Sequence, residues 1–142
     1  RVKDGVEILN KHNMPETVIR AAYEHHGDAT VSYFYIKAQS ITEEQLSNYT
    51  YRYNANKPST KYSALVMICD MCEAIVRAKP PADAEGLKAI VDNVINSKMK
   101  EGQFDECMLT VKDFAIIKET ICEVAMATMH KRIDYDKAKE RR

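Results

Sequence analysis

Two adjacent histidines, His25 and His26, stand before a glycine and an aspartate in the stretch EHHGD at residues 24–28. Imidazole nitrogens are common ligands of transition metals, and the two rings of a helical pair diverge by about 100°. Such a pair is expected to address two different points in space. A carboxylate that could join them is Asp70, which lies 44 residues beyond His26 and interrupts the run ALVMICDMCEAIV at 64–76. That run is apolar around nearly its whole circumference, so it reads as a central buried helix. An isolated carboxylate inside a protein costs several kcal/mol, roughly, unless it is protonated, paired or bound to metal. A structural salt bridge would satisfy Asp70; so would a metal. Two imidazoles and one carboxylate suit iron, manganese or zinc rather than a bare calcium site. Glu73, one turn on, fits helix packing as well as hydrogen-bonding support for such a site. A histidine at a helix C-terminus is also favoured by the macrodipole alone, by about 0.3–1 kcal/mol when charged. His12 and His130 are read in that way.

Helices must position these groups, because helical signals dominate the chain. Residues 2–11 read as the end of a helix closed by Asn13. Pro15 suits a first turn, and Val18, Ile19, Ala22 and Tyr23 make a stripe running to His26, with Gly27 as the stop. The segment VSYFYIKA at 31–38 has strand-like composition but no partner strand, so it is expected to be helical. Residues 40–58 form a long polar, tyrosine-rich connection, of the kind that often carries function. Ser59 or Thr60 caps a helix reaching about Ala78, which Pro80 and Pro81 end. Asp83 caps the next, whose face is Leu87, Ile90, Val91, Val94 and Ile95. Thr110 with Asp113 resembles a capping box opening a last helix with Phe114, Ile117, Ile121, Val124, Ala125 and Thr128 as its buried stripe. The expected architecture is all-α, with residues 137–142 a solvated basic tail.

Composition narrows the functional classes. With 142 residues, 45% apolar and 30% charged, the chain is sized for one globular domain. Basic and acidic residues number 21 each, which argues against a footprint for duplex nucleic acid. No apolar run approaches the ~18 residues of a membrane span, and no signal peptide is visible. The chain starts at Arg1 inside an amphipathic pattern (Val2, Val6, Ile8, Leu9), as expected of a piece of something longer. Cys69, Cys72, Cys107 and Cys122 include a CxxC spacing without a second such pair, so a zinc site has little support. They are expected to be small buried thiols of a reducing compartment.

The stretch HGDATVSYFYIKA after the first histidine, the run ICDMCEA, and EGQFDECMLTVKDFAIIKE together resemble the HD-domain phosphohydrolases. More narrowly, they resemble the cytosolic domain of the seven-transmembrane type of HD protein, over nearly the whole chain. That resemblance implies an all-α HD-type domain, incomplete at its N-terminus, with residues 1–136 its C-terminal portion. It implies a centre of two divalent ions, usually iron or manganese, and hydrolysis of the messenger cyclic-di-AMP to a linear dinucleotide. The family's histidine pair falls on His25 and His26, and its later metal-binding aspartate on Asp70. A further ligand histidine of the family falls on Arg1, which cannot bind a metal; Arg1 is either a natural change or an artificial boundary. The name-giving His-Asp pair is expected upstream. The implied parent is membrane-embedded, with this domain on the cytoplasmic face of a bacterial membrane, and a homo-oligomer is compatible with it.

In the loop YTYRYNANKPSTKYS, Arg52, Lys57 and Lys61 could meet phosphates, and one of Tyr49, Tyr51 and Tyr53 could stack on adenine. Asn54, Ala55 and Asn56 stand where the family has a proline- and glycine-rich turn; a solvated loop is the competing reading. The leading function is thus a metal-dependent cyclic-dinucleotide phosphodiesterase in which activated water attacks phosphorus in line. The alternatives are an HD phosphohydrolase of another nucleotide, or a degenerate domain that binds nucleotide or a partner without hydrolysis. Three ligands do not hold two ions, so the 142-residue chain alone is expected to be inactive.

Overall fold

The structure is a computed structural model and describes residues 2–28 and 55–139, with side chains described as far as residue 128. Among the described residues there are five helices and no strand: α1 (Val2–Lys11), α2 (Glu16–Glu24), α3 (Lys61–Ala78), α4 (Ala84–Lys100) and α5 (Val111–Lys139). The expected helix at 31–38, most of the loop at 40–58, Arg1 and the last three residues lie outside them, as does the side chain of His130.

Local chemistry sets the helix ends. The Thr60 hydroxyl accepts from the Ser63 N–H at 3.1 Å, so Thr60 caps α3. Asp83 accepts from the Gly86 N–H at 2.8 Å at the start of α4. Thr110 and Asp113 form the reciprocal box at α5: the Thr110 N–H donates to the Asp113 carboxylate at 2.8 Å, and the Asp113 N–H donates to the Thr110 hydroxyl at 3.1 Å. Asn13 takes the left-handed conformation (φ 52°) after α1, and Gly27 does so (φ 60°) just beyond α2. The α2 helix ends earlier than its stripe suggests, because His25 is already its C-cap.

The chain divides into two packed units. The first takes in residues 1–67 and 98–108. Its buried residues include Ala64, Met67, Phe104 and Cys107, together with the polar Glu24, Ser63, Lys98 and Gln103. The second takes in residues 68–97 and 109–142, and buries Ile68, Cys72, Leu87, Val91, Val94 and Ile95. The face expected for α4 is therefore the buried one, save that Ile90 is half-exposed. Lys118 on α5 donates to Asp92 on α4 at 2.6 Å.

Two expectations of burial fail. The α3 helix buries one face only: Leu65, Val66, Asp70, Glu73 and Ile75 are exposed. An all-round apolar sequence does not by itself make a central helix; a second covering surface is needed, and the described residues bury a single face. On α5, Phe114, Ile117, Ile121 and Ala125 are half-exposed, and Val124 and Thr128 are exposed. The apolar side chains of α5 are spread around it, with Val111 and Ile116 exposed as well, so no single stripe is sealed.

The cysteines separate in the same way. Cys72 and Cys107 are buried, Cys122 is half-exposed and Cys69 is exposed, all as free thiols. Burial pushes the Cys72 thiol up to about 12, with lesser contributions from Cys69 and Cys122. A folded-state value raised from about 9 means the native state keeps a proton that the unfolded chain loses. This stabilisation is whole below pH ~9 and is lost as pH rises toward 12. Maleimide labelling near neutral pH is expected to modify Cys69 first and Cys72 only under denaturant; equal rates would contradict the burial pattern.

Candidate metal centre

His25 and His26 sit where helix α2 stops: His25 is the C-cap, still in the right-handed helical conformation with its N–H on the Ala21 carbonyl, and His26 lies beyond it. The two rings are neighbours, with centroids 4.1 Å apart and planes tilted by 39°. His25 Nδ1 lies 3.1 Å from the Ala21 carbonyl oxygen. A carbonyl only accepts, so Nδ1 donates to it, and Nε2 is the ring atom left to face a ligand.

Asp70 comes to the same place along α3. It lies one helical turn past Met67, whose Cε is 3.0 Å from where a Cβ on Gly27 would stand. One ligand atom each from His25, His26 and Asp70 lie within 4.8 Å of one another; both rings are half-buried and the carboxylate is exposed. Asp70 is therefore not the buried carboxylate that its apolar neighbours suggested. The donor set fits a divalent transition metal, with two neutral imidazoles and one anionic oxygen close enough to share an ion.

The turn that carries the histidines is held at both ends by residues the sequence did not single out. Glu24, 5% exposed, accepts from the Ser59 N–H at 2.9 Å and from the Ser59 hydroxyl at 2.8 Å. Ser59 thus ties α2 to the segment leading into α3, while Thr60 does the capping. At the other end, Gln103 Nε2 donates to Asp28 Oδ1 at 2.6 Å. A buried glutamate directly before a histidine pair is a signal in hindsight, but burial cannot be read from EHHGD alone.

An open, mostly apolar groove of about 570 Å³ runs beside His25, lined by Val18, Ala21, Ala22, Tyr62 and Val66 among others. Tyr62 is an aromatic wall that the sequence reading passed over in favour of Tyr49, Tyr51 and Tyr53, which lie outside the described residues. Of the residues expected to meet phosphates, Arg52 is also outside them. Lys57 is half-buried and pairs with Asp105 at 3.6 Å, and Lys61 is exposed at the first residue of α3.

No protein-family model matches the chain. Curated relatives do. The chain is 36% identical over 138 residues to the cyclic-di-AMP phosphodiesterase PgpH of Listeria monocytogenes, and 34% identical over 139 residues to PgpH of Bacillus subtilis. These alignments cover 97% and 95% of this chain but only 19% of each relative's length. Among solved structures, the HD domain of L. monocytogenes PgpH in complex with cyclic-di-AMP superposes with a TM-score of 0.84 at 36% identity. That match covers 91% of this chain and 60% of the solved one.

Proposed function

We propose that this chain, a helical homologue of the PgpH HD domain, is the metal-holding portion of a cyclic-di-AMP phosphodiesterase. The observation that carries this reading is the convergence of His25, His26 and Asp70. Residues 1–136 are read as the C-terminal part of an HD domain, in keeping with a match to 60% of the solved relative's chain. The complete centre is read as two ions of iron or manganese, of which the ligands here serve one, the remainder coming from outside this group. A divalent ion, when bound, supplies Lewis acidity toward a phosphoryl oxygen and lowers the pKa of water.

The chain's own residues supply binding and orientation. His25 and His26 give neutral nitrogen donors, and Asp70 gives the anionic oxygen that offsets part of the cation's charge. Tyr62 and the groove beside His25 offer a nucleobase an apolar seat, worth about 1–3 kcal/mol per stacked base. Lys61, and Arg52 outside the described residues, are read as cations that meet phosphate; Lys57 does so only by giving up Asp105. No helix among the described residues is long and apolar enough to cross a membrane. The parent is read as membrane-embedded, with this domain on the cytoplasmic face, where a cyclic dinucleotide messenger would reach it.

Full-length parent protein loaded with Mn²⁺ is expected to open cyclic-di-AMP to the linear dinucleotide, and to lose that turnover to a chelator. Metal-loaded protein that leaves the dinucleotide intact but binds it would favour the non-hydrolytic reading. The 142-residue chain alone is expected to take up one ion and to show no turnover. Chelator-sensitive hydrolysis by that chain would overturn the ligand count. In the parent, Tyr62→Ala is expected to weaken cyclic-di-AMP binding about tenfold; unchanged affinity would remove the groove from the substrate path.

A further inference from the structure

Gln103 is 1% exposed and uses its amide unevenly. Nε2 donates to Asp28 Oδ1 at 2.6 Å and reaches the Glu101 carbonyl only at 3.4 Å. Its Oε1 is buried with no hydrogen-bond partner among the described residues. The amide cannot be turned round to relieve this, because Oε1 would then face the carboxylate oxygen of Asp28, and neither oxygen can donate. Oε1 instead fills the space left by Gly27, where a Cβ would clash with it. Gly27 is thus required twice over, by its φ of 60° and by the amide lying against it.

A buried acceptor without a partner is a cost in stability, and an apolar side chain of the same shape would avoid it. What the glutamine does in return is fix Asp28 and Gly27, the two residues that directly follow His26. Glu24 is held by Ser59 at the other end of the same five-residue turn. We infer that Gln103 is a positioning residue for the metal centre: through Asp28 and Gly27 it sets the turn that carries the His25 and His26 rings. This inference rests on the metal-holding reading of His25, His26 and Asp70. Partners that orient metal ligands at one remove matter to affinity, typically by about 10–100-fold.

The test uses Co²⁺ alone as probe on the 142-residue chain, with binding read from its visible absorption and stability from the thermal midpoint. Gln103→Leu keeps the buried volume and removes the donor to Asp28. It is expected to weaken Co²⁺ binding about tenfold or more while lowering the midpoint little. The exchange variant Gln103→Glu with Asp28→Asn restores a donor–acceptor pair in the reverse sense and should recover most of the affinity. In the metal-free chain, Gln103→Leu should also shift the imidazole NMR signals of His25 and His26. Unchanged affinity and unchanged imidazole signals in Gln103→Leu would overturn the inference, as would an exchange variant no better than Gln103→Glu alone. Asp70→Asn, run alongside, separates the two claims: if wild-type Co²⁺ binding ignores Asp70, the metal-holding reading fails, and the imidazole signals alone then decide whether Gln103 positions the turn. If Gln103→Leu does not fold, the exchange variant against Gln103→Glu still decides it.

Discussion

Asp70→Asn is expected to lower divalent-metal affinity at least about a hundredfold, ~2.8 kcal/mol, while leaving the fold almost untouched. The substitution keeps shape and hydrogen-bonding reach but exchanges an anionic ligand for a neutral amide. Asp70 is exposed on α3, so no buried cation loses its partner, and a surface change of this kind stays within about 0.5 kcal/mol. Metal stoichiometry and thermal midpoint measured on one sample distinguish the readings. Chelator-treated wild type is the necessary control, because losing a bound ion lowers the midpoint by linkage. A mutant that keeps its metal and unfolds at a much lower temperature would make Asp70 a structural residue instead.

Glu24→Ala should be the most damaging single change to stability at this end of the molecule. It removes a buried carboxylate that accepts two hydrogen bonds from Ser59 and leaves the Ser59 N–H without its acceptor. The loss is expected to be about 3 kcal/mol, a fall in midpoint of roughly 10 °C for a domain of this size. Glu24→Gln keeps one acceptor and should lose about a third as much. Urea denaturation of the two variants measures the difference. If Glu24→Ala lost less than about 0.5 kcal/mol, the Glu24–Ser59 contact would be an incidental one. Because His25 follows Glu24 directly, the same variant should also bind metal more weakly than its residual folded fraction accounts for.

What could be read from the sequence was mostly local. Thr60, Asp83 and the Thr110–Asp113 box act through bonds spanning three residues, and such chemistry is written in the spacing. Gly27 marked a stop after α2, but the helix ends at Glu24, earlier than its stripe suggested. Burial was not legible in the spacing, because it depends on which surfaces meet. The run at 64–76 lacks polar residues on most sides, yet α3 leaves Leu65, Val66 and Ile75 in solvent. Asp70 was singled out on the premise that it was buried, and the structure brings it to the histidines while leaving it exposed. The roles of Gln103 and Ser59 were hidden for a different reason: Ser59 was read only as a possible cap, and each lies at least 35 residues from the acidic side chain it holds.

The most direct measurement is an anomalous difference map from crystals of this chain grown with Mn²⁺. A peak roughly 2 Å from one imidazole nitrogen each of His25 and His26 and from a carboxylate oxygen of Asp70 is the expected result. A peak held by other residues, or no peak at saturating Mn²⁺, would contradict the assignment of these three side chains to a metal centre.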